Sequence, residues 1–126
     1  MSSATIFAFE VSVKGTDWTC IVNARTPGQA KRHYHLAVID AWPDIPYTTL
    51  RCRKLGAPHT SADFERNARY RGIENVRCGT PVRVGAAHGV VVGHNDSANL
   101  DVLFDADSPK FANLRLNVHP AECVFA

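Results

Sequence analysis

The last third of the chain alternates short β-type runs with turns rich in glycine, asparagine and aspartate. Strands are predicted at residues 81–85, 89–93, 100–105 and 115–118, with a last short one at 123–125. A single helical turn is predicted at residues 119–122, just before that final strand. Strands this short, at this spacing, favour a small and strongly bent β-barrel.

The first half of the chain begins with two runs of alternating polarity. Residues 5–13 and 18–23 each place apolar side chains on one face, and Gly15 lies in the turn between them, so a β-hairpin is predicted. Thr26-Pro27-Gly28-Gln29 then supplies an N-cap, a proline at the first helical position and a capping box. The helix that these residues open is predicted to end before Pro43.

A third strand is predicted over residues 47–55. Its alternation directs Leu50 and Cys52 toward the core and Arg51 and Arg53 toward solvent. The N-terminal part of the chain is therefore predicted to be a ββαβ lobe.

Three segments follow from these elements. Residues 1–57 form the ββαβ lobe, residues 58–75 a basic helical connector, and residues 76–126 the small barrel. The connector helix ends at Gly72, and because its apolar content is thin we expect it to lie across the surface with its arginines outward. The predicted fold class is α+β.

Composition places the chain among ordinary globular proteins. Its 126 residues are enough for one domain or two small lobes. No basic and apolar leader opens the sequence, and no apolar run approaches the roughly 20 residues that cross a bilayer. Single, scattered cysteines predict reduced thiols rather than a disulfide framework or a zinc knuckle. We expect a soluble, cytoplasmic protein with no membrane association.

Charge is unevenly distributed along the chain. The net charge is +2, but residues 1–77 carry eleven Lys/Arg against seven Asp/Glu, and residues 78–126 carry three against five. An asymmetry of this kind bears on partners rather than on fold. It favours an acidic partner for the first part of the chain.

Residues 79–104 carry a resemblance to a known family. The features that match are the alternating Val82 and Val84, the hinge at Gly89, the valine run at 90–92 and the later Leu100-Val102-Phe104. This segment resembles the SH3-like barrels of the KOW type found in ribosomal proteins and transcription elongation factors. The resemblance implies an SH3-like barrel for residues 76–126.

The acidic character of this segment departs from that family. KOW domains that grip RNA usually carry basic loops, whereas this segment carries Asp96, Asp101, Asp105 and Asp107. We therefore expect the barrel to act as a scaffold and the working surface to lie in the arginine-rich segment before it.

Two longer stretches resemble small bacteriophage and prophage proteins. They are GVVVGHNDSANLDVLFD together with NVHP, and ARTPGQAKRHYHLAVIDAWPDIPYTTLRCRK. The resemblance implies a phage context without implying an activity.

Histidines raise the question of a metal site. His88, His94 and His119 fall near predicted turns with Asp96, and neutral imidazoles with a carboxylate suit zinc. The same residues also suit plain turn and cap positions. Whether the three histidines converge is left open, and neither a metal nor another cofactor is predicted.

Enzyme chemistry is not expected. Cys78 follows Arg77, but adjacent strand residues point to opposite faces, so the cation need not activate the thiol. Residues 85–89 contain two glycines without the Lys-Ser/Thr of a phosphate-binding loop. No catalytic residue is predicted.

A basic and aromatic group is the strongest functional signal. Its predicted members are Arg51, Arg53, Lys54, Arg66, Arg69, Arg71, Tyr47 and Tyr70. Guanidinium groups and aromatic rings suit phosphates and stacked bases, although the same arginines could form salt bridges with nearby acidic residues on a solvated face. The predicted function is non-enzymatic binding of nucleic acid or of an acidic protein surface.

The alternative is a protein-interaction or assembly module that binds a host factor, a phage component or a second copy. If residues 5–13 form a sheet edge, that edge could recruit a partner strand and give a homodimer. Strong salt dependence is expected of phosphate-driven binding and not of an apolar interface.

Overall fold

The computed structural model describes residues 5–125. The chain is α+β and divides into two compact units, residues 5–59 and residues 60–125, each of which is described by itself. Each unit contains one α-helix and one antiparallel sheet. Neither of these helices has the length and apolar character that crossing a bilayer requires.

The unit of residues 5–59 is a three-stranded sheet with one helix. Its elements are β1 (Phe7–Val13), β2 (Thr19–Ala24), α1 (Pro27–Val38), a 3-10 turn (Tyr47–Thr49) and β3 (Leu50–Gly56). The strand order is β2-β1-β3, and both pairings are antiparallel.

β1 is the central strand of this sheet. Val11, for example, pairs with Cys20 of β2 and with Cys52 of β3. The prediction that residues 5–13 form a sheet edge is therefore wrong, and the edges are β2 and β3. Alternating polarity identifies a half-buried strand, but it contains no information about which strands lie beside it.

α1 begins where the capping signals place it. Thr26 Oγ1 accepts a hydrogen bond from the Gln29 N–H at 3.1 Å, and Gln29 Oε1 accepts one from the Arg25 N–H at 2.8 Å. The helix ends at Val38, before the stop expected from Pro43. Ala30 and Tyr34 pack on the buried side chains of the sheet, so α1 covers one sheet face.

The unit of residues 60–125 combines one helix with a five-stranded sheet. Its elements are α2 (Ala62–Tyr70), β4 (Pro81–Val84), β5 (Ala87–His94), β6 (Leu100–Phe104), β7 (Arg115–Val118), a 3-10 turn (Pro120–Glu122) and β8 (Val124–Phe125). The order is β7-β6-β5-β4-β8, with every pairing antiparallel. Within the described residues, β7 and β8 do not pair, so hydrogen bonds do not close this sheet.

α2 is part of the second unit's core. Ser61 Oγ caps it by accepting from the Phe64 N–H at 3.0 Å, and Gly72 ends it with a positive φ of 72°. Phe64 and Ala68 are buried in the same core as the inward residues of the five-stranded sheet. Phe64 and Ala68 thus pack into the core a nine-residue helix that was predicted to lie across the surface.

β5 and β6 approach each other closely at Gly89. This glycine pairs with Phe104, and a Cβ atom added to it would lie 2.8 Å from the Phe104 Cα. Next to this pair, His88 lies opposite Asp105. The Asp105 N–H donates to the His88 carbonyl oxygen at 3.0 Å. Gly89 therefore permits the contact that sets the position of these two side chains.

Candidate nucleic-acid interface

The basic and aromatic residues predicted from the sequence are divided between the two units. Tyr47, Arg51, Arg53 and Lys54 belong to residues 5–59, and Arg66, Arg69, Tyr70 and Arg71 belong to residues 60–125. Each group is considered separately.

Arg51 and Arg53 share the sheet face that α1 leaves uncovered. Arg51 pairs with Ser12 of β1, and Arg53 pairs with Glu10. On the other side of β1, Ser12 pairs with Thr19 of β2 and Glu10 pairs with Ile21. We call this the open sheet face, and its residues are Glu10, Ser12, Thr19, Ile21, Arg51 and Arg53.

The two arginines of the open sheet face differ in their partners. Arg53 Nη2 lies 3.1 Å from Glu10 Oε1, in a pair whose side chains are 71% and 38% exposed. An exposed ion pair of this kind contributes only about 0–1 kcal/mol to the free energy of folding and is screened by salt. An anionic ligand can therefore replace the carboxylate of Glu10. The side chain of Arg51 is exposed and makes no ion pair or hydrogen bond within residues 5–125. Its guanidinium group is available to a ligand.

Tyr47 and Lys54 lie away from the open sheet face. Tyr47 belongs to the 3-10 turn, where its hydroxyl donates to the Gly28 carbonyl oxygen at 3.3 Å. Lys54 pairs with Phe9, and its ammonium nitrogen lies 3.6 Å from the centroid of the Phe7 ring. Tyr47 is therefore held against α1, and Lys54 lies on the sheet face that carries Phe7 and Phe9.

The charges of Arg66 and Arg69 are balanced locally. Arg66 forms an ion pair with Asp63, one turn earlier on α2. Arg69 lines a small surface cleft together with Glu65, Glu74 and Arg77. These acidic neighbours make the exposed side of α2 a mixed-charge surface rather than a basic one.

Arg71 ties α2 to the rest of its unit. Its Nη2 donates to the Ser97 carbonyl oxygen at 2.9 Å and to Asn99 Oδ1 at 3.1 Å, and its Nη1 lies 3.3 Å from His119 Nε2. Tyr70, by contrast, is 80% exposed. Sequence alone placed both residues in one binding group, whereas the structure gives Arg71 internal partners.

The three histidines that the sequence offers as candidate metal ligands, His88, His94 and His119, have different neighbours. His94 Nδ1 lies 2.9 Å from Asn67 Nδ2, and His119 Nδ1 accepts from the Ala121 N–H at 3.0 Å. His88 lies instead with Asp105 and Asp107, and within residues 5–125 this is the one group of three such side chains whose potential ligand atoms are close enough to hold a metal ion. The sequence carried no signal for this group, because the structure brings residues 88 and 105 together through the pairing of β5 with β6.

The cysteines differ in burial and in the pKa of their thiols. Burial raises the pKa of the Cys52 and Cys123 thiols, and the carboxylate of Glu122 raises the Cys123 value further. A raised pKa disfavours the thiolate, which is the reactive form of a cysteine. Cys78 is partly buried, and its backbone N–H donates to Thr60 Oγ1 at 3.1 Å.

Comparisons with protein-family models, with curated proteins and with solved structures found no significant match. Function is therefore inferred from the geometry and charge of this chain.

Proposed function

We propose that this chain is a non-enzymatic binding protein whose open sheet face contacts nucleic acid. The observation that supports the proposal is Arg51, which is exposed and makes no ion pair or hydrogen bond within the described residues, with Arg53 two residues further along the same strand. Arginine forms bidentate hydrogen bonds with phosphate oxygens. Ile21, exposed on β2 at the opposite edge of the sheet, offers apolar contact to a base.

The distribution of charge supports the same face. Residues 5–59 carry seven Lys/Arg against four Asp/Glu, whereas residues 60–125 carry seven against eight. A net charge of +3 in the first unit attracts a polyanion, and a net charge of −1 in the second does not. The open sheet face belongs to the positively charged unit, residues 5–59.

We further propose that residues 76–126 form an SH3-like barrel in a cytoplasmic, phage-type protein. The strand order, with the last strand β8 beside β4, and the 3-10 turn at Pro120–Glu122 support the barrel proposal. Its acidic side chains suit a scaffold, as the sequence indicates. The phage context rests on the sequence resemblance.

Replacing Arg51 by alanine tests the binding proposal. We expect Arg51→Ala to weaken binding of a fluorescein-labelled single-stranded DNA or RNA oligonucleotide, and to lower the slope of log K against log salt by about one. Fluorescence anisotropy at several salt concentrations measures both quantities.

Arg32→Ala is the matched control, because Arg32 is an exposed arginine of the same unit that lies on α1. It should bind as the unchanged protein does. An oligonucleotide that does not bind at low salt, or an equal loss in both variants, would refute the proposal.

A second candidate function is self-association through β2. This strand is an edge of its sheet, and Thr19, Cys20 and Ile21 are all exposed. Trp18, just before it, is 49% exposed and packs edge-on against Trp42. An open edge with apolar side chains can pair with a second copy of the same strand. Light scattering that shows a monomer across the accessible concentration range would remove this candidate.

A further inference from the structure

His88, Asp105 and Asp107 lie together at one end of the β5–β6 pair. One potential ligand atom from each residue lies within 4.8 Å of the other two. The Ser108 N–H donates to the Asp105 carbonyl oxygen at 3.1 Å, which folds the chain after β6 into a turn that carries Asp107. Ser108 Oγ accepts from the His88 N–H at 3.2 Å, so the turn is tied to β5.

The buried carboxylate of Asp105 orients the imidazole. Asp105 is only 4% exposed, and its Oδ2 lies 2.7 Å from His88 Nδ1. A carboxylate accepts hydrogen bonds, so the Nδ1 proton donates to it and the lone pair of the neutral ring is on Nε2. This is the arrangement of a histidine that binds a metal through Nε2 while a carboxylate holds its other nitrogen.

The free nitrogen faces a second carboxylate at a separation that suits an ion. His88 Nε2 and Asp107 Oδ1 are 3.8 Å apart, which is too long for a hydrogen bond. Bonds of about 2.1 Å to one zinc ion at the tetrahedral angle bring such atoms to about 3.4 Å. The Asp107 side chain is 58% exposed and can close the remaining difference by a small rotation.

We propose that His88 Nε2 and Asp107 bind a divalent transition-metal ion of the zinc class, with Asp105 as the positioning residue. An imidazole with carboxylate oxygen favours zinc over calcium or magnesium, which take oxygen ligands. Water completes the coordination, because the described chain supplies two direct ligands. The site is independent of the nucleic-acid proposal, since it belongs to the unit of residues 60–125.

Arg83 opposes the ion and provides a sharp test. It pairs with His88 across the β4–β5 ladder, so the two side chains share a sheet face. A positive charge on the same sheet face as His88 repels a divalent cation bound there. Removal of this charge should therefore tighten metal binding, whereas a change in fold stability alone would not do so.

A calorimetric titration with Zn²⁺ alone measures the affinity and the stoichiometry. The full chain with Cys20→Ser is the reference, because this substitution removes the exposed thiol as a competing ligand. We expect one equivalent of Zn²⁺ to bind and the ¹⁵N resonance of His88 Nε2 to shift while Nδ1 stays protonated.

Four substitutions decide the assignment. Asp107→Asn, at an exposed position, should lower the affinity at least tenfold without a change in thermal unfolding, and Asp105→Asn should lower it about 10- to 100-fold. Arg83→Gln should raise the affinity. Asp96→Asn, an exposed carboxylate in another turn, is the control and should change nothing. Absence of Zn²⁺ binding, or binding that survives Asp107→Asn unchanged, would overturn the proposal.

Discussion

Arg71 shows how a residue that suits a ligand can serve the fold instead. Its guanidinium group joins the end of α2 to the Ser97 carbonyl oxygen and to Asn99. The Ser97 contact is exposed and the Asn99 contact is partly buried, so removal of this charged donor costs about 1–2 kcal/mol. We expect Arg71→Ala to lower the free energy of unfolding by about that amount in urea titrations.

Arg69→Ala is the comparison for Arg71→Ala, because Arg69 is exposed on the same helix. It should change the unfolding free energy by less than about 0.5 kcal/mol. Arg71→Lys should not restore stability, since an ammonium group cannot reproduce the forked geometry. Equal stability of the Arg69 and Arg71 variants would contradict the internal role of Arg71.

The thiols of Cys52 and Cys123 should react slowly. Burial raises the pKa of both, so the thiolate form is rarer than in an exposed cysteine. Titration with a disulfide reagent at pH 8 should modify the exposed Cys20 first, and all four cysteines should react rapidly once urea unfolds the chain. Rapid modification of Cys52 or Cys123 in the folded protein would disagree with their burial.

The raised pKa of Cys123 also sets the sign of a pH effect. The stability gained by keeping this thiol protonated is fully present below the unfolded pKa of about 8.5 and is lost as pH rises through the higher folded value. We expect the loss of stability between pH 8 and pH 10 to be smaller in Cys123→Ala than in the unchanged protein. Urea midpoints at the two pH values measure the difference, and an equal loss would show that Cys123 does not contribute.

Among the elements, the β5–β6 pair is the most sensitive to a single added carbon. Gly89→Ala would place Cβ against the backbone of Leu103 and Phe104, neither of which can move as a flexible side chain does. We expect a loss of about 3 kcal/mol in unfolding free energy, measured by thermal or urea unfolding. Gly28→Ala is the control, because nothing lies within 4 Å of its added Cβ and it is helical. Similar stability of both variants would contradict the close approach.

The strands of the second unit were largely predictable because each is bounded by strong turn residues. β7 spans the predicted residues 115–118, and the single helical turn before β8 is also confirmed. The cap of α1 was predictable for the same local reason. Signals that act within four or five residues survive into the structure.

One error had a local cause, and the others arose where distant residues decide the outcome. Tyr47 was predicted in a strand, but Thr49 donates both its N–H and its hydroxyl to the Pro46 carbonyl oxygen, so a 3-10 turn precedes β3. β1 became central only because β3 returns to its second edge. Arg71 and the His88 group likewise depend on contacts across 17 residues or more, which alternation cannot reveal.

At the scale of the whole molecule, net charge and local contact make different predictions for nucleic-acid binding. Arg51→Glu and Arg83→Glu each change the net charge from +2 to zero. If the open sheet face binds, Arg51→Glu should weaken oligonucleotide binding at least tenfold, and Arg83→Glu, in the other unit, should have a small effect. Anisotropy at matched salt concentration compares them. Equal losses would show that the overall charge, rather than this face, attracts the ligand.

The order of strands in the second sheet determines when it can form as the chain is synthesised. β4 is made first, yet one of its two neighbours is β8, which follows about 40 residues later. The central pair β5–β6 joins residues close in sequence and can form as soon as both have emerged. Until residues 124–125 are made, one side of β4 has no strand partner. The newly made chain therefore exposes a sheet edge that is paired in the finished protein, and during that interval a chaperone or a neighbouring nascent chain can bind it.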